Sequence, residues 1–297
     1  MTKKAQRNLR QEVTDKVLEA LKNGVAPWVK PWTGKPGDGI HMNPDTGTVY
    51  RGINVWLLNI AQMANGYSSS EWVTFRGAKK LGGSVRPRPE GVEKGEWGHT
   101  VIYWQFIEKK DENGKATGEK FPMLRHFTVF NRDQCDNLPE TEVEAVPEFE
   151  RHARAEATIE ATGARISYGG DRACYIPASD SIQLPNKENF HNPESFYSTA
   201  FHELVHWTGA EKRLKRTKGK RFGDSDYAFE ELVAEMGAGF LCAEHGISGE
   251  LQHESYIGSW ITALESDNNF VISASSKAQK ASDLIANPKA KELKKVA

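Results

Sequence analysis

The sequence predicts an α+β protein of two domains, an N-terminal α/β domain with a small antiparallel sheet and a mostly helical C-terminal domain. Residues 98–108 and 123–131 are rich in β-branched and aromatic residues and flank a turn sequence at 111–114, which is typical of a β-hairpin. Residues 227–244 instead repeat apolar side chains at helical spacing. Between these patterns, residues 137–150 are acidic and contain two prolines, which indicates a linker.

The predicted domain boundaries follow from this linker. A chain of 297 residues has room for about two domains of ordinary size. We place the N-terminal domain at residues 1–136, the linker at 137–150 and the C-terminal domain at 151–297. Apolar periodicity predicts helices over residues 6–23 and 53–64 of the N-terminal domain.

Shorter elements complete the predicted order. A strand is expected at residues 72–75 and a helical turn at 76–81, ahead of the hairpin. The C-terminal domain should begin with a helix over residues 151–163. Residues 173–177 and 181–185 have strand-like content, and they form either an ordinary hairpin or an edge strand beside the functional site.

The sequence His202-Glu-Leu-Val-His206 lies in an apolar helical segment, for which Ser198 or Thr199 is the expected N-cap and Gly209 the expected stop. Residues i and i+4 of a helix share one face, so both imidazoles can bind one metal ion. Glu203 is then close enough to act as general base on an attacking water. The pattern indicates a zincin-type metallopeptidase site, with zinc expected and another divalent metal such as manganese as the alternative.

A third ligand is expected from the helix at residues 227–244. Glu231 and Glu235 are four residues apart and share one face of this helix. One can bind the metal, while the other accepts the free imidazole N–H of a ligand histidine. The segment resembles the Glu-xxx-Asp helix of gluzincin families, which implies Glu231 as the ligand, with Glu235 as the alternative. Glu230 is expected to point about 100° away from this face.

The composition excludes several classes of protein. No run of 18 apolar residues is present, so no membrane span is expected. The first ten residues precede no apolar segment of the kind that a signal peptide needs. The three cysteines are scattered, which argues against a disulfide framework or a zinc knuckle. A reducing cytoplasmic location and no membrane partner are therefore expected.

The N-terminal half combines aromatic residues with positive charge. Residues 1–110 contain 17 Lys and Arg against 10 Asp and Glu, and six of the eight tryptophans fall within the first 104 residues. Cations follow a phosphate backbone and aromatic faces stack on unpaired bases, so the combination indicates single-stranded nucleic acid. The candidate contacts are Trp28, Lys30, Trp32, Tyr50, Arg51, Trp72, Arg76, Lys79, Lys80, Arg86 and Arg88.

Core packing is the alternative for these tryptophans, because tryptophan is highly buried on average. It is the preferred interpretation for Trp56 and Trp104, which lie inside regular elements. A second basic run, residues 212–221, contains seven Lys and Arg in ten positions. It is expected to be a solvated loop, or else a docking site near the metal.

Five motifs of the N-terminal half are Pro27-Trp-Val-Lys-Pro-Trp, Tyr50-Arg-Gly-Ile-Asn54, Trp72-Val-Thr-Phe, Leu81-Gly-Gly and Val129-Phe-Asn131. They resemble motifs of ArdC-type antirestriction proteins, whose N-terminal domain also occurs in plasmid TraC-type primases. The C-terminal half, with His202-Glu-Leu-Val-His206-Trp-Thr-Gly and Glu230-Glu-Leu-Val-Ala-Glu, resembles the zincin-like metallopeptidase domain that follows in the family. The resemblance implies a plasmid-encoded protein that binds single-stranded DNA and protects incoming DNA from host restriction during conjugation. A component of the host restriction system is the protein partner this would suggest.

Overall fold

The computed structural model describes residues 7–29, 40–93, 95–110, 112, 115–141, 146–216, 225–248 and 254–288. Within them the helices are α1 Leu9–Lys22, α2 Ile53–Asn65, α3 Phe75–Lys80, α4 Glu148–Ala161, α5 Pro193–Thr208, α6 Ser225–His245, α7 Ile257–Ser266 and α8 Phe270–Ala286. The strands are β1 Met42–Asn43, β2 Thr48–Val49, β3 Trp72–Val73, β4 Ser84–Val85, β5 His99–Lys110, β6 Ala116–Asn131, β7 Cys135–Asp136, β8 Arg165–Tyr168, β9 Cys174–Ile176 and β10 Ser181–Leu184. The α+β class and the two-domain architecture are as predicted.

Small sheets frame the two halves of the protein. In the N-terminal half, β6 pairs with β3 and β5, all antiparallel, and the pairs β1–β2 and β4–β7 lie beside this sheet. In the C-terminal half, β10 is the central strand, parallel to β8 and antiparallel to β9. Strand β9 is therefore an edge strand, as one of the two predictions for residues 173–177 required.

The β5–β6 hairpin is longer than the sequence predicts. Strand β6 begins at Ala116, whereas the apolar pattern begins only at Met123. Residues 116–122 are exposed on both faces, so their strand conformation depends on ladder hydrogen bonds to β5 and not on burial. An apolar pattern cannot detect such a segment. Most of the predicted turn at 111–114 lies outside the described residues.

Helices of both halves share the largest apolar core. Val17 of α1 and Trp56 of α2 belong to the same buried cluster as residues of α5, α6, α7 and α8. The Trp56 ring stacks on Phe240 of α6, with ring centroids 4.4 Å apart. Gly239 allows this approach, because a Cβ there would lie 2.7 Å from the Trp28 carbonyl oxygen and 3.0 Å from the Trp56 ring. The N-terminal half thus packs directly on the helix that carries Glu231.

The start of helix α5 differs from the prediction. Helix α5 begins at Pro193, and its N-cap is Asn192, whose side chain accepts the Ser195 N–H, so the expected caps at Ser198 and Thr199 are wrong. Proline is favoured at the first helical position, where its missing N–H costs nothing. The expected stop at Gly209 is confirmed.

Two further helices change the predicted organisation. Helix α4 begins at Glu148, inside the proposed linker, of which residues 142–145 lie outside the described part of the chain. Helix α8 has no counterpart in the prediction, since its buried face consists largely of alanine and serine, which give a weak apolar pattern. None of the helices in the described ranges is both long enough and apolar enough to cross a membrane.

Candidate functional site

Helix α5 places both histidines of the HExxH motif on one buried face. His202 and His206 are 1% and 7% exposed, and their Nε2 atoms lie 3.1 Å apart. Two imidazole nitrogens that converge in this way inside a core would repel as acceptors unless a cation or proton lies between them. The geometry therefore provides two neighbouring ligand atoms.

Helix α6 brings Glu231 to the same point. Its Oε2 atom lies 3.5 Å from His202 Nε2 and 3.6 Å from His206 Nε2. Ligands about 2.0–2.1 Å from a tetrahedral metal are separated by about 3.3 Å, so these three atoms share a point about 2 Å from each. Among the described residues, these three form the group able to hold a metal ion. The donor set fits a small divalent cation.

Glu203 faces the edge strand β9. Its Oε2 atom accepts a hydrogen bond from the Tyr175 backbone N–H at 2.6 Å, and its side chain is buried. A backbone N–H fixes the direction of the carboxylate without supplying a competing positive charge. The arrangement leaves Glu203 a carboxylate base that is held beside, but not among, the three candidate ligand atoms.

Two other glutamates of α6, Glu230 and Glu235, lie against the outer nitrogens of the histidines. Glu235 Oε1 is 3.7 Å from His202 Nδ1, in the place that the sequence predicts for a residue that orients this imidazole. Glu230 Oε1 is 3.3 Å from His206 Nδ1, so the expectation that Glu230 points away from the site is wrong. Adjacent residues on α6 are about 100° apart, and His206 lies between the directions of Glu230 and Glu231.

Arg216 completes the surroundings of His206. Its guanidinium donates to Glu230 Oε1 at 2.8 Å and Oε2 at 3.0 Å, and its side chain is 5% exposed. The basic run is therefore not simply a solvated loop at this position, although residues 217–221 lie outside the described ranges. Burial raises the pKa of the Glu230 carboxyl, but His206 and Arg216 outweigh this effect and lower that pKa to about 2. Burial lowers the pKa of the His206 imidazole, but Glu230 and Glu231 outweigh this effect and raise that pKa to about 9.

Close packing of α5 and α6 makes the cluster possible. A Cβ on Gly237 of α6 would lie 2.6 Å from a methyl group of Val205, which sits between the two histidines on α5. Glycine is therefore required for the observed separation of these helices. Tyr227, one turn before Glu231, lies beside Tyr256, with ring centroids 5.8 Å apart, and burial together with the nearby Glu231 carboxylate raises the pKa of its hydroxyl. The sequence prediction missed Tyr227 and Arg216, since neither has a spacing signal that links it to the motif.

Two of the predicted stacking tryptophans are in the core. Trp28 is 2% exposed and packs edge-on against Trp260, and Trp72 is fully buried with its Nε1–H donated to His41. A buried ring cannot present a face to a base, so the prediction for these two residues is wrong. Lys30 and Trp32 lie outside the described residues. Trp56 is buried as predicted, whereas Trp104 is 44% exposed and the prediction that it is core is wrong.

The predicted cationic contacts are mostly at the surface. Arg76, Lys79, Lys80, Arg86 and Arg88 are exposed. Lys80 pairs with Asp45 at 2.6 Å and Arg86 with Asp136 at 3.6 Å, which reduces the net positive charge of this surface.

The remaining two candidates contact the body of the protein. Arg51 pairs with Asp283 of α8 at 2.6 Å. Tyr50 is half-buried and donates its hydroxyl to the Trp72 carbonyl oxygen at 3.4 Å. The predicted contacts that lie within the described residues are therefore not gathered into one aromatic and basic patch.

Comparison with known proteins matches both halves to families. Residues 7–130 match the N-terminal domain of anti-restriction factor ArdC, and residues 153–277 match a zincin-like metallopeptidase domain. The metal-free crystal structure of antirestriction protein ArdC from plasmid R388 is 38% identical, covers 96% of this chain and 99% of its own, and superposes with a TM-score of 0.79. The chain belongs to the ArdC antirestriction family. The resemblance seen in the sequence is thereby confirmed.

Other relatives of this ArdC-family chain differ in length. An uncharacterized protein of Sinorhizobium fredii, y4eC, is 34% identical over 92% of this chain and 90% of its own length. A DNA primase TraC of Escherichia coli is 38% identical over 93% of this chain, which spans only 27% of that primase. The R388 protein has also been solved with Mn(II) bound, and this form is 37% identical, covers 94% of this chain and 97% of its own, and has a TM-score of 0.75.

Proposed function

We propose that this ArdC-family chain protects incoming plasmid DNA from host restriction, with a metal-dependent peptidase site in the C-terminal domain and a single-strand-binding N-terminal domain. The observation that carries the peptidase part is the convergence of His202, His206 and Glu231 on one point, with Glu203 held beside it. The proposed substrate is a component of the host restriction system, which the chain would meet in the cytoplasm.

The three converging side chains would hold the metal. Zinc is the expected ion, because two imidazoles and a carboxylate leave a fourth position open, as in catalytic zinc sites. Manganese is the alternative, since the R388 relative binds it and the same donor atoms accept it. When bound, the ion polarises the scissile carbonyl and makes water a stronger acid.

The residues of the chain then perform the proton transfers. Glu203 accepts a proton from the attacking water and delivers it to the leaving amine, so one carboxylate acts as base and then as acid. The Tyr175 N–H holds this carboxylate in place. Glu230, held by Arg216, hydrogen-bonds to His206 Nδ1 and directs Nε2 of this ring toward the ion. The Glu235 carboxylate lies 3.7 Å from His202 Nδ1, where its negative charge favours the same orientation of the His202 ring.

The N-terminal domain is proposed to hold the incoming single strand. The excess of Lys and Arg in residues 1–110 supports this proposal, as does the match to the ArdC N-terminal domain. Binding through phosphates should weaken as salt concentration rises.

Two other functions are compatible with the candidate metal site. In one, the metal only stabilises the fold of a protein that coats DNA. In the other, the chain is a regulatory protease and its N-terminal domain only localises it.

A conjugation assay tests the protective function. A plasmid with restriction sites is transferred into recipients with and without the matching restriction system, in the presence or absence of this chain. We expect the chain to raise transfer into the restricting recipient toward the frequency in the non-restricting one, and to leave the latter unchanged. An equal loss to restriction with and without the chain, across several restriction systems, would refute the proposal.

A further inference from the structure

The outer part of the β5–β6 hairpin carries exposed aromatic rings. Residues that are opposite each other in an antiparallel ladder point to the same face of the hairpin. Tyr103 is opposite Arg125, Ile107 is opposite Phe121, and Val101 is opposite Phe127. One face of the hairpin, outside the buried Val101, is called the aromatic face. Its members are Tyr103, Gln105, Ile107, Phe121, Met123, Arg125 and Phe127.

The rings of the aromatic face are accessible, and two of them are parallel. Tyr103, Phe121 and Phe127 are 37%, 43% and 50% exposed. The Tyr103 and Phe127 rings stack with centroids 4.4 Å apart and an angle of 8° between their planes. Because the two rings already order each other, a further ring that stacks on them meets a preformed surface. The side chains of Tyr103 and Phe127 then lose little conformational freedom on binding.

Arg125 gives the aromatic face a positive charge. Its Nε donates to Gln105 at 3.1 Å, within the same face. In the part of the chain that the structure describes, no carboxylate pairs with Arg125. An arginine beside stacked aromatic rings can contact a phosphate while the rings contact bases.

The size of the aromatic face decides between possible occupants. It is two strands wide and about six residues long, which gives roughly 10 Å by 20 Å, or about 200 Å². A stable protein–protein interface buries about 800 Å² on each partner, so neither a protein partner nor a second copy of this chain would be held by this surface alone. An unpaired base needs only one ring for stacking.

We propose that the aromatic face binds single-stranded DNA, with bases stacked on Tyr103, Phe127 and Phe121 and a phosphate paired with Arg125. The proposal rests on the proposed single-strand binding of the N-terminal domain, and it locates the contact on a surface different from the buried Trp28 and Trp72. The aromatic face would supply exposed rings for stacking in a domain where two of the predicted stacking tryptophans, Trp28 and Trp72, are buried.

The test measures binding of a labelled oligothymidylate, and of a duplex of equal length, by fluorescence anisotropy at fixed salt. Tyr103→Ala with Phe127→Ala removes the stacked pair, and Phe106→Ala is the matched control, because Phe106 is 67% exposed on the opposite face of the same hairpin. We expect the double variant to raise the Kd for the single strand by about fivefold to a hundredfold per lost stack. The control, and the ring-preserving pair Tyr103→Phe with Phe127→Tyr, should bind like the wild type.

The outcomes separate the surface from the function. Wild-type preference for the single strand, with binding unchanged in the double variant, would overturn the aromatic face and leave single-strand binding intact. A wild-type protein that binds no single strand, or prefers the duplex, would refute the proposed function and the surface together. Equal loss in Phe106→Ala would also overturn the proposal, since it would show a general effect of hairpin stability, which thermal unfolding of each variant measures independently.

Discussion

Replacing Glu203 by glutamine is expected to abolish hydrolysis while the protein keeps its fold and its metal. Glutamine has nearly the same shape, but it cannot accept the proton of the attacking water, and loss of a general base costs about 10²–10⁴-fold in rate. The amide oxygen can still accept the Tyr175 N–H, so β9 should stay in place. In the conjugation assay, protection by Glu203→Gln should fall to the level found without the chain.

A control on the same helix makes this result specific. Glu194 lies in the first turn of α5, more than two turns before Glu203, and contacts none of the candidate ligands in the described structure. Glu194→Gln should therefore protect as the wild type does. Full protection by Glu203→Gln, with normal metal content, would contradict a peptidase mechanism and favour a metal that only stabilises the fold.

Replacing Gly237 by valine is expected to disrupt the candidate metal centre from a position that touches no metal ligand. The new Cβ would lie 2.6 Å from Val205, so α5 and α6 must separate at the level of the two histidines. Overpacking of this kind costs about 1–3 kcal/mol of unfolding free energy. Because Glu231 is on α6 with Gly237 while His202 and His206 are on α5, separating the two helices moves the ligands apart, and we expect at least about a tenfold loss of metal affinity.

Gly258 of α7 provides the matched control for this substitution. It is exposed, and a Cβ added there meets no atom within 4 Å. Gly258→Val should change the free energy of unfolding by less than about 0.5 kcal/mol. Chemical denaturation and metal titration of both variants test the prediction. A Gly237→Val protein with wild-type stability and metal affinity would show that the helix contact does not position the ligands.

Local spacing made the centre of the site predictable. His202, Glu203 and His206 have a fixed geometry on one helix, and the i, i+4 relation of Glu231 and Glu235 restricted the third ligand to two candidates. The partner of His206 could not be derived in this way, because Glu230 reaches it only through the crossing of α5 and α6, and Arg216 arrives from a loop. Contacts between elements depend on packing that no spacing rule records.

The burial of individual tryptophans could not be predicted from local sequence. Trp28 lies between prolines and basic residues, which favoured an exposed ring, yet it packs on Trp260 because the N-terminal half shares its core with α6 and α7. Trp104 has a strand pattern typical of a core residue, but its hairpin extends beyond the core and leaves the ring exposed. Trp104 does lie in a strand, as predicted, and the tertiary arrangement decided the burial of both rings.

The metal content of the purified protein tests the central claim most directly. After removal of loosely bound ions, elemental analysis of the wild type should find about one equivalent of zinc or manganese per chain. His206→Ala and Glu231→Ala should each lose most of this metal, whereas Glu194→Gln should retain it. A wild-type protein that binds neither ion, or a Glu231→Ala variant with full metal content and unchanged affinity, would contradict the assignment of His202, His206 and Glu231 as a metal centre.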